Sequence, residues 1–130
     1  MTGLVLVTHA GLAGALKSAA EMIVGDIDMC VSVEVTPGER ADEIMARVVS
    51  AVEAVSADGA IIMTDLFGGT PSNMAMSFLK EGRIEVLTGV NLPMLIEFCS
   101  KRQRMTVAEL AAEMQRTGRE AIIVAGEFLK

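Results

Sequence analysis

Gly3-Leu4-Val5-Leu6-Val7-Thr8-His9-Ala10-Gly11 is the stretch that decides the fold. Its apolar run is strand-length, a small-residue turn follows, and Leu12, Leu16, Ala19, Ala20 and Ile23 then recur at helical spacing. The pattern repeats downstream. Ala60-Ile61-Ile62-Met63-Thr64 is a second continuous apolar run, of the kind buried on both faces of a parallel sheet. It leads into Asp65-Leu66-Phe67-Gly68-Gly69-Thr70-Pro71-Ser72-Asn73 and another helix. In such sheets, ligands bind where strands end and helices begin, and His9, the only histidine, lies at that place. An imidazole there suits proton or phosphoryl chemistry; it also suits a residue that only caps the turn.

Working outward, strands are predicted at about 3–8, 29–35, 60–64, 83–88 and 120–126. Helices are predicted at about 12–24, 40–55, from Thr70 to about 80, at about 93–101, and from Thr106 to Gly118. Gly25 reads as a helix stop, Thr36-Pro37-Gly38 as a turn, and Thr106-Val107-Ala108-Glu109 as a capping box. The alternation within 29–35 places that strand near an edge. Strand–helix alternation implies a doubly wound, mostly parallel α/β sheet with helices on both faces and right-handed crossovers. An order of 2-1-3-4 sets the two most apolar strands side by side, with the chain leaving them in opposite directions.

The 130 residues suit one domain with one sizeable core, and 52% apolar against 22% charged residues marks a globular chain. The formal charge of −6 argues against nucleic acid, and the absence of Trp and Tyr removes a stacking platform. No apolar run reaches membrane-spanning length, residues 4–7 are too short for a signal-peptide core, and the first basic residue is Lys17, so a cytoplasmic location without membrane insertion is expected. Cys30 and Cys99 read as small hydrophobes, and most of the ten Met residues as core. Lys101-Arg102-Gln103-Arg104 reads as a basic helix end that favours the helix dipole.

With the order 2-1-3-4, His9 and Asp65 end adjacent strands and meet in one crevice. A carboxylate on one ring nitrogen fixes the tautomer and leaves the other nitrogen nucleophilic. Gly68-Gly69 allows close backbone approach, Thr70 reads as an N-cap, and Pro71 fits the first helical turn. Free N–H groups at that helix start suit an anion. Each piece has a plainer reading as turn, cap or loop; their convergence at one sheet edge favours a phosphoryl group on histidine. A hydrolase or mutase would need a positive clamp, and neither the His9 nor the Asp65 segment holds Arg or Lys. A nucleotide-binding module would need a glycine-rich phosphate loop, which is absent after the first strand. A sensor that is phosphorylated without relaying is the remaining alternative.

Thr8-His9, Asp65-Leu66-Phe67-Gly68-Gly69-Thr70-Pro71-Ser72-Asn73 and Gly89-Val90-Asn91-Leu92-Pro93-Met94-Leu95 resemble the mannose-type enzyme IIA of the bacterial phosphotransferase system. Val35-Thr36-Pro37-Gly38-Glu39 and Thr117-Gly118-Arg119-Glu120 support the likeness, which extends over essentially all of residues 1–130. The resemblance implies a phosphocarrier whose His9 takes a phosphoryl group on Nε2 from the carrier HPr and passes it to a IIB domain for sugar uptake. It implies that Asp65 orients His9, that Gly68, Gly69 and Thr70 bind the phosphate, and that no metal or organic cofactor takes part. Phe67 is a candidate partner contact. A homodimer is implied, with the last strand at the sheet edge, antiparallel and exchanged between subunits. The sequence departs from the family in two ways. Ala10 stands where relatives often carry Gly. The chain stops at Lys130 without a fused IIB domain, which implies a separate IIB protein or, with none, a stand-alone regulatory phosphate acceptor.

Overall fold

The structure, a computed structural model, describes residues 1–130. Four parallel strands, β1 (Gly3–His9), β2 (Cys30–Val35), β3 (Ala60–Thr64) and β4 (Ile84–Thr88), form one sheet in the order β2-β1-β3-β4. The expected order and all four strand positions are present. β1 pairs with β2 from Leu4 opposite Cys30 to His9 opposite Val35, and with β3 from Gly3 opposite Ala60 to Val7 opposite Thr64. These registers bring the ends of β1, β2 and β3 to one edge of the sheet.

The apolar runs of β1 and β3 are buried on both sides because helices cover both sides. Leu4, Leu6, Ile61 and Met63 face a core shared with α1 (Leu12–Val24), α4 (Leu92–Lys101) and α5 (Val107–Glu120). Val5, Val7, Ala60 and Ile62 face the opposite core, with α2 (Ala41–Val55) and α3 (Thr70–Met76). The alternation along each strand therefore divides its side chains between two packed layers. β2 is an edge strand, as its own alternation indicates.

The predicted capping box is formed. Thr106 Oγ1 accepts from the Glu109 N–H at 3.2 Å, and Glu109 Oε1 accepts from the Thr106 N–H at 2.9 Å. Other boundaries differ from expectation. α3 stops at Met76, because the chain folds back so that Lys80 and Ile84 exchange two backbone hydrogen bonds. Thr70 is the first residue of α3 and Gly69 its cap, one position earlier than the sequence suggests. Gly118 does not end α5; it is buried within it, where a Cβ would lie 2.8 Å from Met94 Sδ. Its absent side chain lets α5 lie close against α4, and its carbonyl accepts from Asn91 Nδ2 at 3.0 Å.

The largest correction concerns the last strand, expected at 120–126. Glu120 ends α5, residues 121–124 belong to no helix or strand, and a one-turn helix α6 (Ala125–Phe128) follows. β-branched residues favour a strand only where an open edge supplies hydrogen-bond partners; within this chain the segment meets none, and Ile122, Ile123 and Val124 are exposed.

Arg102 departs from its sequence reading as well. Only 5% exposed, it donates to the carbonyls of Thr2, Asp28 and Met29 at 2.7–3.1 Å and lies 5.0 Å from the Phe98 ring centre. It is a buried clamp on the N-terminal ends of β1 and β2. Cys30 is buried and Cys99 half-buried, both as free thiols, and burial pushes the Cys30 thiol up to about 11.

Candidate functional site

β1 extends past the end of its ladder with β3, whose last pair is Val7–Thr64. Beyond that pair the main chain of β3 no longer supplies an acceptor, and the side chain of Asp65 takes over. Asp65 Oδ2 accepts from the backbone N–H of His9 at 3.1 Å and meets His9 Nδ1 at 2.9 Å. A carboxylate only accepts, so the proton of this second bond resides on Nδ1, and in the neutral ring the lone pair is then on Nε2. The His9 side chain is 48% exposed, that of Asp65 15%. The imidazole is thus half-exposed, while the carboxylate that meets its Nδ1 is largely buried. Asp65 Oδ1 and Thr64 Oγ1 are buried with no hydrogen-bond partner. Unsatisfied polar atoms of this kind cost about 1–3 kcal/mol each.

The loop after Asp65 folds over the imidazole. Gly68 has φ +96°, which favours glycine, and an added Cβ on Gly69 would lie 2.9 Å from His9 Cε1 and 3.2 Å from Nε2. Only a bare backbone fits that close to the ring. Buried Ser72 holds the loop: its Oγ accepts from the Gly68 N–H at 2.9 Å and donates to the Gly69 carbonyl at 3.1 Å. The Gly68 amide is therefore occupied, while the amides of Gly69 and Thr70 have no protein acceptor. Leu66 and Phe67 project from the loop, 58% and 71% exposed.

His9 and Thr70 line an open cavity of ≈ 420 Å³. Its other wall comes from residues that sequence reasoning did not assign to the site: Thr36, Pro37 and Glu39, after β2, and Ala41 and Ile44 of α2. Parallel pairing was the available signal. His9 lies opposite Val35, so the turn after Val35 must reach the same edge. Glu39 Oε2 accepts from the Thr36 N–H at 2.7 Å and Oγ1 at 2.9 Å, and Oε1 accepts from Arg47 Nη2 at 2.5 Å. The two Thr36 donors, with Arg47 beside them, hold the Glu39 carboxyl below the usual carboxylate range. No cationic side chain lines the cavity. No group of three or more His, Cys, Asp or Glu side chains is placed to hold a metal ion.

Residues 3–115 match the family described as EIIA-man, PTS system fructose IIA component. The chain belongs to this family. It is a IIA component of the sugar phosphotransferase system. The sorbose-specific EIIA component of Lacticaseibacillus casei is 35% identical over 118 residues, covering 90% of this chain and 86% of that one. The mannose-specific EIIAB component of Escherichia coli K12 is 30% identical over 92% of this chain, which spans 38% of that longer protein. A crystal structure of the PTS IIA protein associated with the fucose utilization operon of Streptococcus pneumoniae superposes with a TM-score of 0.89 at 27% identity, covering 99% of this chain and 96% of the other. These relatives share the fold and system of this IIA component, while their names attach them to different sugars. No helix of the IIA component is long and apolar enough to cross a membrane.

Proposed function

We propose that this protein is a phosphohistidine carrier that accepts a phosphoryl group from HPr on Nε2 of His9 and passes it to a IIB domain for sugar uptake. The observation that carries this reading is the double contact of Asp65 Oδ2 with the His9 N–H and Nδ1, at 3.1 and 2.9 Å, which places the proton of the neutral ring on Nδ1 and its lone pair on Nε2. The Nε2 lone pair forms the new N–P bond. The bond between phosphorus and the donor breaks, and its electron pair stays on the donor. The positive charge that develops on the imidazole is balanced by Asp65, which keeps the Nδ1 proton in a hydrogen bond. The amides of Gly69 and Thr70 and the Thr70 hydroxyl receive the phosphoryl oxygens; Gly68 contributes its own amide only if Ser72 releases it. Phosphoryl transfer demands little beyond such positioning and charge stabilisation.

Phe67 and Leu66, exposed on the loop that follows Asp65, supply the apolar contact for the protein partners. The exposed segment Ile122-Ile123-Val124 pairs with the sheet edge of a second copy, which makes the working form a cytoplasmic homodimer.

The test is incubation with phosphoenolpyruvate, enzyme I and HPr, followed by assay for acid-labile phosphate. Wild type gains it and His9→Ala does not. Absence of label on wild type rejects the carrier reading. Added IIB domain then removes the label; a label that no IIB protein collects marks a regulatory phosphate acceptor instead.

A further inference from the structure

Glu39 has no part in the transfer just described, yet it lines the same cavity as His9 and Thr70. It is not a loose surface group. Thr36 fixes one carboxylate oxygen through its N–H and its hydroxyl, and Arg47 Nη2 holds the other at 2.5 Å. The same Nη2 donates to the Glu34 carbonyl at 2.9 Å. Arg47, the only cation bonded to a wall of this cavity, is thereby held on Glu39 and the end of β2.

We infer that Glu39 is a tuning residue for the phosphohistidine: its fixed negative charge, together with its hold on Arg47, keeps the phosphoryl group on His9 weakly bound and so readily passed on. The inference rests on the carrier reading and deepens it. A phosphoryl group brings about 1.5–2 negative charges into the cavity. A carboxylate in the wall raises the energy of the phosphorylated form relative to the free form, whose imidazole carries no negative charge. The two exchanges are mirror images. On loading, the donor's bond to phosphorus breaks as Nε2–P forms; on unloading, Nε2–P breaks, its electron pair returns to Nε2, and the acceptor's bond forms. Glu39 acts on the level of the intermediate between them. A cavity with a free guanidinium would instead store the group.

Two substitutions with opposite expected signs test this. Glu39→Gln keeps an acceptor oxygen for Thr36, removes the charge and frees Arg47. Arg47→Ala leaves Glu39 charged and uncompensated. The measured quantity is the equilibrium of labelled phosphate between phospho-HPr and His9, at low and high salt, with the urea midpoint of each variant recorded alongside. Glu39→Gln shifts the equilibrium toward phospho-His9 by about 3- to 10-fold, and Arg47→Ala shifts it the other way, both shifts shrinking in high salt. A purely structural role moves both variants in the same direction with their stabilities. That outcome, or no shift in either, overturns the inference while wild-type labelling stands. If wild type takes no label from phospho-HPr, the carrier reading itself fails and this inference falls with it.

Discussion

Ala10, next to His9, has φ +50°, where an L side chain crowds its own carbonyl at a cost of about 1 kcal/mol. Glycine at this position avoids that cost. Ala10→Gly is expected to raise stability by about 0.5–1 kcal/mol, read as a higher urea midpoint; a lower midpoint contradicts the strain argument. Two further substitutions probe the site without replacing His9. Asp65→Ala removes the acceptor for both N–H groups of His9 and is expected to slow phosphoryl acceptance about 100-fold while circular dichroism stays native. Unchanged rates would take Asp65 out of the mechanism. Gly69→Ala sets a methyl group 2.9 Å from His9 Cε1, so the ring must shift. Loss of labelling with little loss of stability is expected, and full labelling would show that the loop gives way. His9, Asp65 and the Gly-Gly-Thr loop were legible in the sequence because each falls at a strand end or helix start. Glu39 was not, since nothing local marks a turn glutamate as part of a wall; its place follows only from the register of β1 against β2.

Elements with strong local signals were read within a residue or two. α1 and β3 have their expected bounds, and the Thr106–Glu109 capping box is formed by both of its hydrogen bonds. Thr106→Ala is expected to cost about 1 kcal/mol in urea denaturation by unpairing the N–H of Glu109. Misreadings arose where tertiary context overrides propensity. Gly118 resembles a stop signal, but the approach of Met94 makes glycine the residue that fits inside α5. Ile122, Ile123 and Val124 have strand composition without an edge to join in the single chain.

For the whole molecule, one buried cation joins distant parts of the chain. Arg102, at the end of α4, ties Thr2 on the N-terminal side of β1 to Asp28 and Met29 before β2. Arg102→Ala leaves the buried Thr2 carbonyl without its guanidinium donor, removes a donor from the partly buried Asp28 and Met29 carbonyls, and is expected to cost about 3 kcal/mol, while His9 labelling of the folded fraction is unaffected. Equal stability of the variant would deny the clamp. Assembly is tested by light scattering at micromolar concentration. A mass near twice the 13.7 kDa chain is expected, falling to one chain when residues 121–130 are removed. A monomeric wild type rules out pairing through that segment. The sheet order was legible because burial on both faces selects β1 and β3 as the centre. The sugar is not, because nothing in the cavity distinguishes the sorbose, mannose and fucose systems named for its relatives.

One oxygen atom, Asp65 Oδ2, holds both the main chain and the ring of His9. The imidazole cannot swing without giving up a bond, so a phosphoryl group carried on Nε2, as proposed, would have no travelling arm and would stay at one point in space. Whatever delivers it and whatever collects it must occupy that point in turn. The two partners would then be competitive inhibitors of one another, and relay through this protein would follow ping-pong kinetics, with no ternary complex at any stage.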